Sequence, residues 1–310
     1  MTVQKIAVLG GGLIGASWAA LFLSRGHSVA IADPKPEAEA FCRQLIRDAW
    51  PDLTQLSDIA DAPDWSRLSF HTTIAAACEG ADLAQDCGPD RIDIKRAMLA
   101  EAETTLPQQA LYASSTSSLM ATDIQAGAEH PDRVLVAHPM NPPHLVPLVE
   151  LVGGKATAPE ALSRARAFYD SLDRVTVVAQ KERPGHIANR LTSALYREAV
   201  NIVAEGIADV ADVDRAIAYG PGMRWALMGP HLIYHMGGGP GGYRHYLEHL
   251  GPTQVDRWQD LGTPELTPAL IDRMVAELDA SLSGVDAEAL RQKRDAALVA
   301  LARLKQDLPV

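Results

Sequence analysis

The chain is poor in three things, and each shortage excludes a class of protein. Cysteine comes first: Cys42, Cys78 and Cys87 are all there is in 310 residues. An odd number at those spacings builds neither a disulfide framework nor a zinc site, so no metal is expected and a reducing, cytoplasmic setting is. Basic side chains are the second shortage. Lys and Arg number 28 against 39 Asp and Glu, a net charge of −11. A surface of that sign repels phosphate backbones and anionic lipid, so neither nucleic acid nor membrane is expected as a partner. Long apolar runs are the third. Residues 6–24, IAVLGGGLIGASWAALFLS, carry no charge and are nearly long enough for a membrane span or a signal peptide. Four glycines make that segment a poor hydrophobic helix, and they fall where another pattern needs them. Internal repeats, low-complexity tracts and charge blocks are also lacking. What remains, 47% hydrophobic and 22% charged, is an ordinary globular composition long enough for roughly two domains.

What is present starts with a βαβ unit. KIAVLG reads as a short buried strand, GGGLIGASWAALFLSRGH as a glycine turn and a helix ending near Gly26, and HSVAIAD as a second strand ending at Asp33. The unit carries G-x-G-x-x-G as Gly10, Gly12 and Gly15, with Leu13 and Ile14 inside the turn and an acid eighteen residues past the last glycine. Gly10 permits the tight turn, Gly12 lets the backbone approach a pyrophosphate, and Gly15 lets helix and strand pack. Free N–H groups at the helix start then hold the pyrophosphate. Asp33 can accept hydrogen bonds from a ribose diol and would repel a 2′-phosphate. NAD is therefore favoured over NADP, a preference that Lys35 weakens a little. An ordinary Gly-rich turn is the plainer reading, but strand, helix, strand and terminal acid are all in register.

The alternation continues. Residues 37–50 look helical, 67–73 and 81–87 look like strands, and 91–106 look helical; 110–119 form a strand running into a Ser/Thr turn, and 133–138 another strand. Such alternation implies a mostly parallel sheet covered on both faces, with ligands beyond the carboxyl ends of the strands. Asp33, Asp90, Ser117 and His138 all follow strand ends and could line one crevice. After residue 183 the pattern becomes helical throughout, as in HIANRLTSALYREAVNIVAEG and PALIDRMVAELDASL. The expected fold is α/β: a Rossmann-type, mostly parallel sheet domain over 1–183, followed by an all-helical domain over 184–310.

Residues 133–154, RVLVAHPMNPPHLVPLVELVGG, place His138 and Glu150 in two apolar runs flanking a Pro-rich reversal. Prolines 139, 142 and 143 cannot continue a ladder. The midpoint of 138 and 150 falls at 144, inside the reversal, so a fold-back there sets the two side chains opposite each other, about 5 Å apart at Cβ. A carboxylate on one imidazole nitrogen fixes the tautomer and leaves the other nitrogen free to take a proton. A structural His–Glu pair tying the turn is the alternative.

With these residues assembled, the sequence resembles the L-3-hydroxyacyl-CoA dehydrogenase superfamily over nearly its whole length. GGGLIG, QDCGPDRIDIK, SSTSSL, AHPMNP, PLVELV and GHIANRL carry the resemblance. It implies a two-domain subunit, a helical C-terminal domain that dimerises, and oxidation of an L-3-hydroxyl with NAD. Carried over, His138 is the catalytic base and Glu150 its partner. Ser117 and Asn189 hydrogen-bond the reacting oxygen, and Asn141 lines the same pocket. Asp90 stands where the family usually has Glu near the nicotinamide, and Lys95 follows at the matching interval. Plainer roles remain for Ser117 as a turn residue, Asn189 as a solvent-facing helix residue and Lys95 on an exposed helix face.

The substrate is expected to be a small 3-hydroxy acid. Between residues 34 and 80, four bases face eight acids, a poor setting for the phosphates of coenzyme A. The C-terminal half resembles the L-carnitine dehydrogenase branch, and HPMNPPHLVPLVELV with RDAALVALARLK resembles the L-gulonate 3-dehydrogenase branch. Both branches imply a carboxylate on the substrate, for which Arg224, beside Trp225, is the natural anchor; a surface or interface arginine is the alternative. Six rings between 219 and 258 (Tyr219, Trp225, Tyr234, Tyr243, Tyr246 and Trp258) could face a trimethylammonium group or simply pack helices. Met140 stands where the carnitine branch would have an aromatic. Because the gulonate branch includes a crystallin, a non-catalytic NADH-binding protein is the alternative from outside enzymology.

Overall fold

The computed structural model describes residues 3–306 and 308. The chain divides into two compact units, one ending at Arg190 and one beginning at Leu191.

The first unit is built on a single sheet. Its strands are β1 (Lys5–Leu9), β2 (Ser28–Ala32), β3 (Leu68–His71), β4 (Leu83–Asp86), β5 (Leu111–Ser114), β6 (Val134–Pro139), β7 (Leu148–Gly153) and β8 (Val175–Ala179). They lie in the order β3-β2-β1-β4-β5-β6-β7-β8. Every neighbouring pair is parallel except β6 and β7. The order reverses between β1 and β4, and in such sheets that switch point opens a crevice beyond the carboxyl ends of the strands.

The strands are apolar throughout because both faces are covered. Alternate residues therefore enter two separate cores. Ile6, Val8, Val29, Ile31, Leu135 and Ala137 join one. Ala7, Leu9, Ala30, Ala32, Val134 and Val136 join the other. Helices α1 (Leu13–Ser24) and α2 (Ala38–Leu56) cover the first face; α3 (Ile74–Cys78), α4 (Ile92–Glu103) and α5 (Ala121–Ile124) cover the second. Trp18 of α1 stacks on Phe22 at 5.2 Å between centroids and tilts against Tyr169 at 5.6 Å. Burying such rings contributes about 1.5–3 kcal/mol each.

Three sequence expectations need correction. The second helix does not end at residue 50: α2 runs through Pro51 to Leu56. Proline there removes a bond and crowds the preceding turn, but the buried stripe Cys42, Ile46, Ala49, Trp50 and Leu53 continues past it. Tertiary burial outweighs the local penalty. Pro139 does not stop the ladder either. It is the last residue of β6, opposite Val149, where a missing N–H costs little. Residues 155–183, without an expected element, contain α6 (Pro159–Ser171) on the first face and β8, which pairs parallel with β7. The charge-free segment 6–24 is divided among β1, the glycine turn and α1. Among the described residues, no helix is long and apolar enough to cross a membrane.

The second unit is helical, with no strand among its described residues. The helices are α7 (Ala188–Ala204, whose first three residues belong to the first unit), α8 (Val210–Tyr219), α9 (Pro221–Trp225), α10 (Pro230–Gly237), α11 (Gly242–His249), α12 (Gly251–Asp260), α13 (Pro268–Ser281) and α14 (Ala287–Gln306). Local chemistry starts two of them. The Asp209 carboxylate accepts from the Asp212 N–H, and the Thr267 hydroxyl accepts from the Leu270 N–H.

Candidate active site

The glycine turn sits at the switch point. Gly10 has φ +110°, and a Cβ there would meet the Cys87 carbonyl oxygen at 2.9 Å. At Gly15 a Cβ would fall 1.9 Å from the Gly10 oxygen, so the turn itself excludes one. Gly12 differs: a Cβ there would meet nothing within 4 Å. The fold does not need glycine at 12, whereas a pyrophosphate approaching the start of α1 would. Asp33 is held at the end of β2 by the Gly11 N–H at 2.8 Å and the Lys35 N–H at 2.9 Å. Gly10, Gly12 and Asp33 line a cavity of about 590 Å³ that continues between Thr72, Ile74, Ile94, Met98 and Glu101. Glycine cradle, ribose carboxylate and apolar slot together fit a dinucleotide. No sequence motif marks the slot, because its residues come from separate elements.

A second cavity, of about 200 Å³, is lined by Ile14, Ser115, Ser117, His138, Pro139, Met140, Asn141 and Asn189. The expected residues Ile14, Ser117, His138, Asn141 and Asn189 thus meet in one place. Ser115 is an addition; it follows β5 directly, where the strand-end rule could have found it. Its Oγ accepts from Gln85 Nε2 at 2.9 Å and from Trp18 Nε1 at 3.3 Å.

The fold-back places His138 opposite Glu150 in register. His138 Nδ1 lies 2.8 Å from Glu150 Oε2. The other oxygen, Oε1, accepts from the Ile187 and Ala188 N–H groups, both at 2.8 Å. Burial alone would raise the Glu150 carboxyl; the hydrogen bond from His138 and the two backbone donors outweigh it and bring it below its ordinary value. An ionised Glu150 makes Nδ1 the protonated nitrogen and leaves Nε2 with its lone pair.

His186 completes this layer, although nothing in its motif marks it as more than a neighbour of Asn189. It takes φ +49°. Its ring lies 5.3 Å from that of His138, and its Nε2–H donates to the Thr116 carbonyl at 3.1 Å. Burial pushes its pKa down, so it stays neutral. Residues 186–189 therefore tie the Ser117 turn, Glu150 and the second cavity together.

The remaining expected residues fall as follows. Asp90 accepts from the Ser117 N–H at 2.9 Å and so anchors the turn. Lys95 is not on an exposed helix face. It is 1% exposed, and its Nζ donates to Asp86 at 2.9 Å and to the Gly88 carbonyl at 2.8 Å, beneath the loop that follows β4. Neither cavity has Lys95 in its lining. Leu13 opens α1 and is half exposed. Arg224 and Trp225 lie on α9 in the second unit. Of the six rings counted there, Tyr234 and Tyr246 stack on each other at 4.4 Å and Tyr243 is bonded to His231, while Tyr219, Trp225 and Trp258 are exposed. Among the described residues, no group of His, Cys, Asp or Glu could hold a metal ion.

Residues 5–183 match the family model for the NAD-binding domain of 3-hydroxyacyl-CoA dehydrogenase, and residues 185–281 match its C-terminal domain. The chain belongs to the 3-hydroxyacyl-CoA dehydrogenase family. It is an NAD-dependent dehydrogenase. Within the family it is 42% identical over 306 residues to L-carnitine dehydrogenase of Nocardiopsis dassonvillei, covering 99% of this chain and 93% of that one. It is also 42% identical to L-carnitine dehydrogenase of Bacillus cereus, covering 98% and 93%. Among solved structures, 5-formyl-3-hydroxy-2-methylpyridine 4-carboxylic acid 5-dehydrogenase, an NAD+ dependent dismutase, superimposes with a TM-score of 0.82 at 28% identity, covering 99% of each chain.

Proposed function

We propose that this dehydrogenase oxidises the 3-hydroxyl of a small L-3-hydroxy carboxylate resembling L-carnitine to the 3-oxo acid. The observation that carries the reading is the 2.8 Å His138–Glu150 pair at the wall of a cavity that also holds Ser117, Asn141 and Asn189. The relatives named L-carnitine dehydrogenase support the choice of substrate.

The chemistry needs a base for the hydroxyl proton and polar groups for the oxygen. His138 Nε2 takes the proton, and ionised Glu150 stabilises the imidazolium that results, a contribution of about 10²–10⁴-fold to the rate. Ser117 and Asn189 hydrogen-bond the oxygen as it becomes a carbonyl. Bound NAD supplies the acceptor for the hydride leaving C3. Gly12 and the first residues of α1, Leu13 and Ile14, hold its pyrophosphate on the tight turn that Gly10 and Gly15 permit; Asp33 takes its ribose diol, and Asp90 orders the Ser117 turn beside it. Lys95 supports the cofactor loop from below. Within the second unit, Arg224 offers a guanidinium suited to a carboxylate and Trp225, beside it on α9, an exposed ring suited to a cation.

One observation favours a second substrate. The small cavity presents Met140, not an aromatic ring, and a thioether gives a trimethylammonium group no π face. A substrate without that group, such as L-gulonate, loses nothing by the missing ring. NAD reduction measured with L-carnitine, D-carnitine, L-gulonate and 3-hydroxybutyryl-CoA separates the readings. Turnover of L-carnitine well above the rest is the expected result. Turnover of L-gulonate alone would replace it, and tight NADH binding with no turnover on any substrate would sink the enzymatic reading.

The active form is proposed to be a cytoplasmic homodimer formed through the second unit. Large apolar side chains there stand open, among them Leu191 (63%), Ile207 (66%), Met236 (63%) and Trp258 (66%). The three cysteines are free, as a reducing compartment requires.

A further inference from the structure

The far end of the dinucleotide cavity is not purely apolar. Thr72, Ile74, Ile94 and Met98 form the walls of the slot, but Glu101 of α4 lines it too. Its carboxylate is oriented by the protein. Oε1 accepts from the Ile74 N–H at 2.8 Å and the Ala75 N–H at 3.3 Å, at the start of α3. Oε2 has no hydrogen-bond partner among the described residues. The slot therefore combines apolar walls for a flat ring with one fixed, anionic acceptor.

The slot belongs to the same cavity as Gly10, Gly12 and Asp33. The pyrophosphate cradle and the ribose carboxylate precede it, so a dinucleotide that reaches them extends its purine into it. The edges of the two common purine forms differ in a way a carboxylate can read. Adenine presents a 6-amino donor next to an N1 acceptor. Hypoxanthine presents a 6-oxo acceptor next to an N1–H donor. A carboxylate, which only accepts, pairs with the first at position 6 and is repelled by the second.

We propose that Glu101 selects the base of the dinucleotide, with Oε2 accepting the exocyclic 6-amino group of adenine. The two backbone amides on Oε1 prevent the carboxylate from following the donor to position 1 when the base is deaminated. The inference rests on the reading of this cavity as the adenosine site.

Equilibrium binding tests it without turnover. Titration calorimetry compares NADH with reduced nicotinamide hypoxanthine dinucleotide on the full-length protein. NADH is expected to bind tighter by about tenfold, the size of one charge-assisted hydrogen bond in a partly exposed site. Glu101→Gln keeps an Oε1 for the Ile74 and Ala75 amides and offers an N–H₂ donor in place of Oε2. It is expected to abolish or invert the preference, while leaving the thermal unfolding midpoint within a few degrees. Glu101→Ala, checked in the same way, abolishes the preference without inverting it. Tight NADH binding with equal affinity for the two dinucleotides in the unaltered protein, or an unchanged ratio in Glu101→Gln, would overturn the proposal and leave the cofactor reading intact. Failure of NADH itself to bind would overturn both.

Discussion

At the scale of single residues, the site depends on one carboxylate holding one imidazole. Glu150 is fully buried, accepts three hydrogen bonds, and lies behind His138. Replacing His138 with Asn removes the base, and kcat is expected to fall by about 10²–10⁴-fold while NADH affinity stays within about twofold, in steady-state kinetics and fluorescence titration. Equal losses of NADH affinity and kcat would place His138 in cofactor binding instead. The same layer makes stability depend on pH. Glu150 titrates below its ordinary 4.5 in the folded protein, so its contribution is complete above 4.5 and is lost as pH falls through the lowered folded value. His186 titrates below 6.5; between its folded value and 6.5 the unfolded chain binds the extra proton, so stability again falls with pH. Thermal unfolding scanned from neutral pH downward is therefore expected to show a falling midpoint. His186→Phe should remove the upper part of that slope and Glu150→Gln the lower part. The His138–Glu150 contact was legible in sequence because a strand pair has a fixed period and the reversal centre could be counted. The Ile187 and Ala188 donors were not, because backbone amides have no residue signature.

At the scale of elements, the glycine turn and α2 give opposite lessons. In the turn, Gly15 is required by the fold and Gly12 by the ligand. Gly12→Ala is expected to keep the unfolding midpoint of the parent and to weaken NADH binding at least tenfold; Gly15→Ala should lose both, since its Cβ would lie 1.9 Å from the Gly10 oxygen. Equal midpoints for the two variants would contradict this division. In α2, propensity reads a stop at Pro51 that the structure ignores. Pro51→Ala restores the missing N–H bond at an exposed position and is expected to stabilise the protein by about 1–3 kcal/mol in urea unfolding, with kcat unchanged. Lys95 is a similar case. A lysine on a helix after a strand reads as solvent-facing, and only the position of Asp86 beneath the loop explains why it is buried.

At the scale of the whole molecule, the two units differ in how much they bury. The first has two apolar cores, one on each side of the sheet. In the second, Val200, Val203, Val213, Tyr246 and Val299 are the buried hydrophobics among the described residues, against more than twenty large ones left exposed. The proposed homodimer would resolve that imbalance. Sedimentation is expected to give about twice the 33.3 kDa chain mass, and the unfolding midpoint should rise with protein concentration, because association stabilises the folded state by mass action. A midpoint independent of concentration, with a monomer mass, would sink the dimer.

Local periods and fixed spacings in the chain were enough to establish part of this protein. That part comprises the βαβ start with Gly10, Gly12, Gly15 and Asp33, the apolar strands of a two-faced sheet, the helical second half, and the pairing of residues 138 and 150. Other features depend on parts of the chain brought together from a distance and emerged with the fold. Lys95 reaches Asp86, Asp90 holds the Ser117 turn, and residues 186–189 tie three separate elements to one cavity. Side-chain period is a property of neighbouring residues. Burial and hydrogen-bond partnership depend on where the rest of the chain has gone.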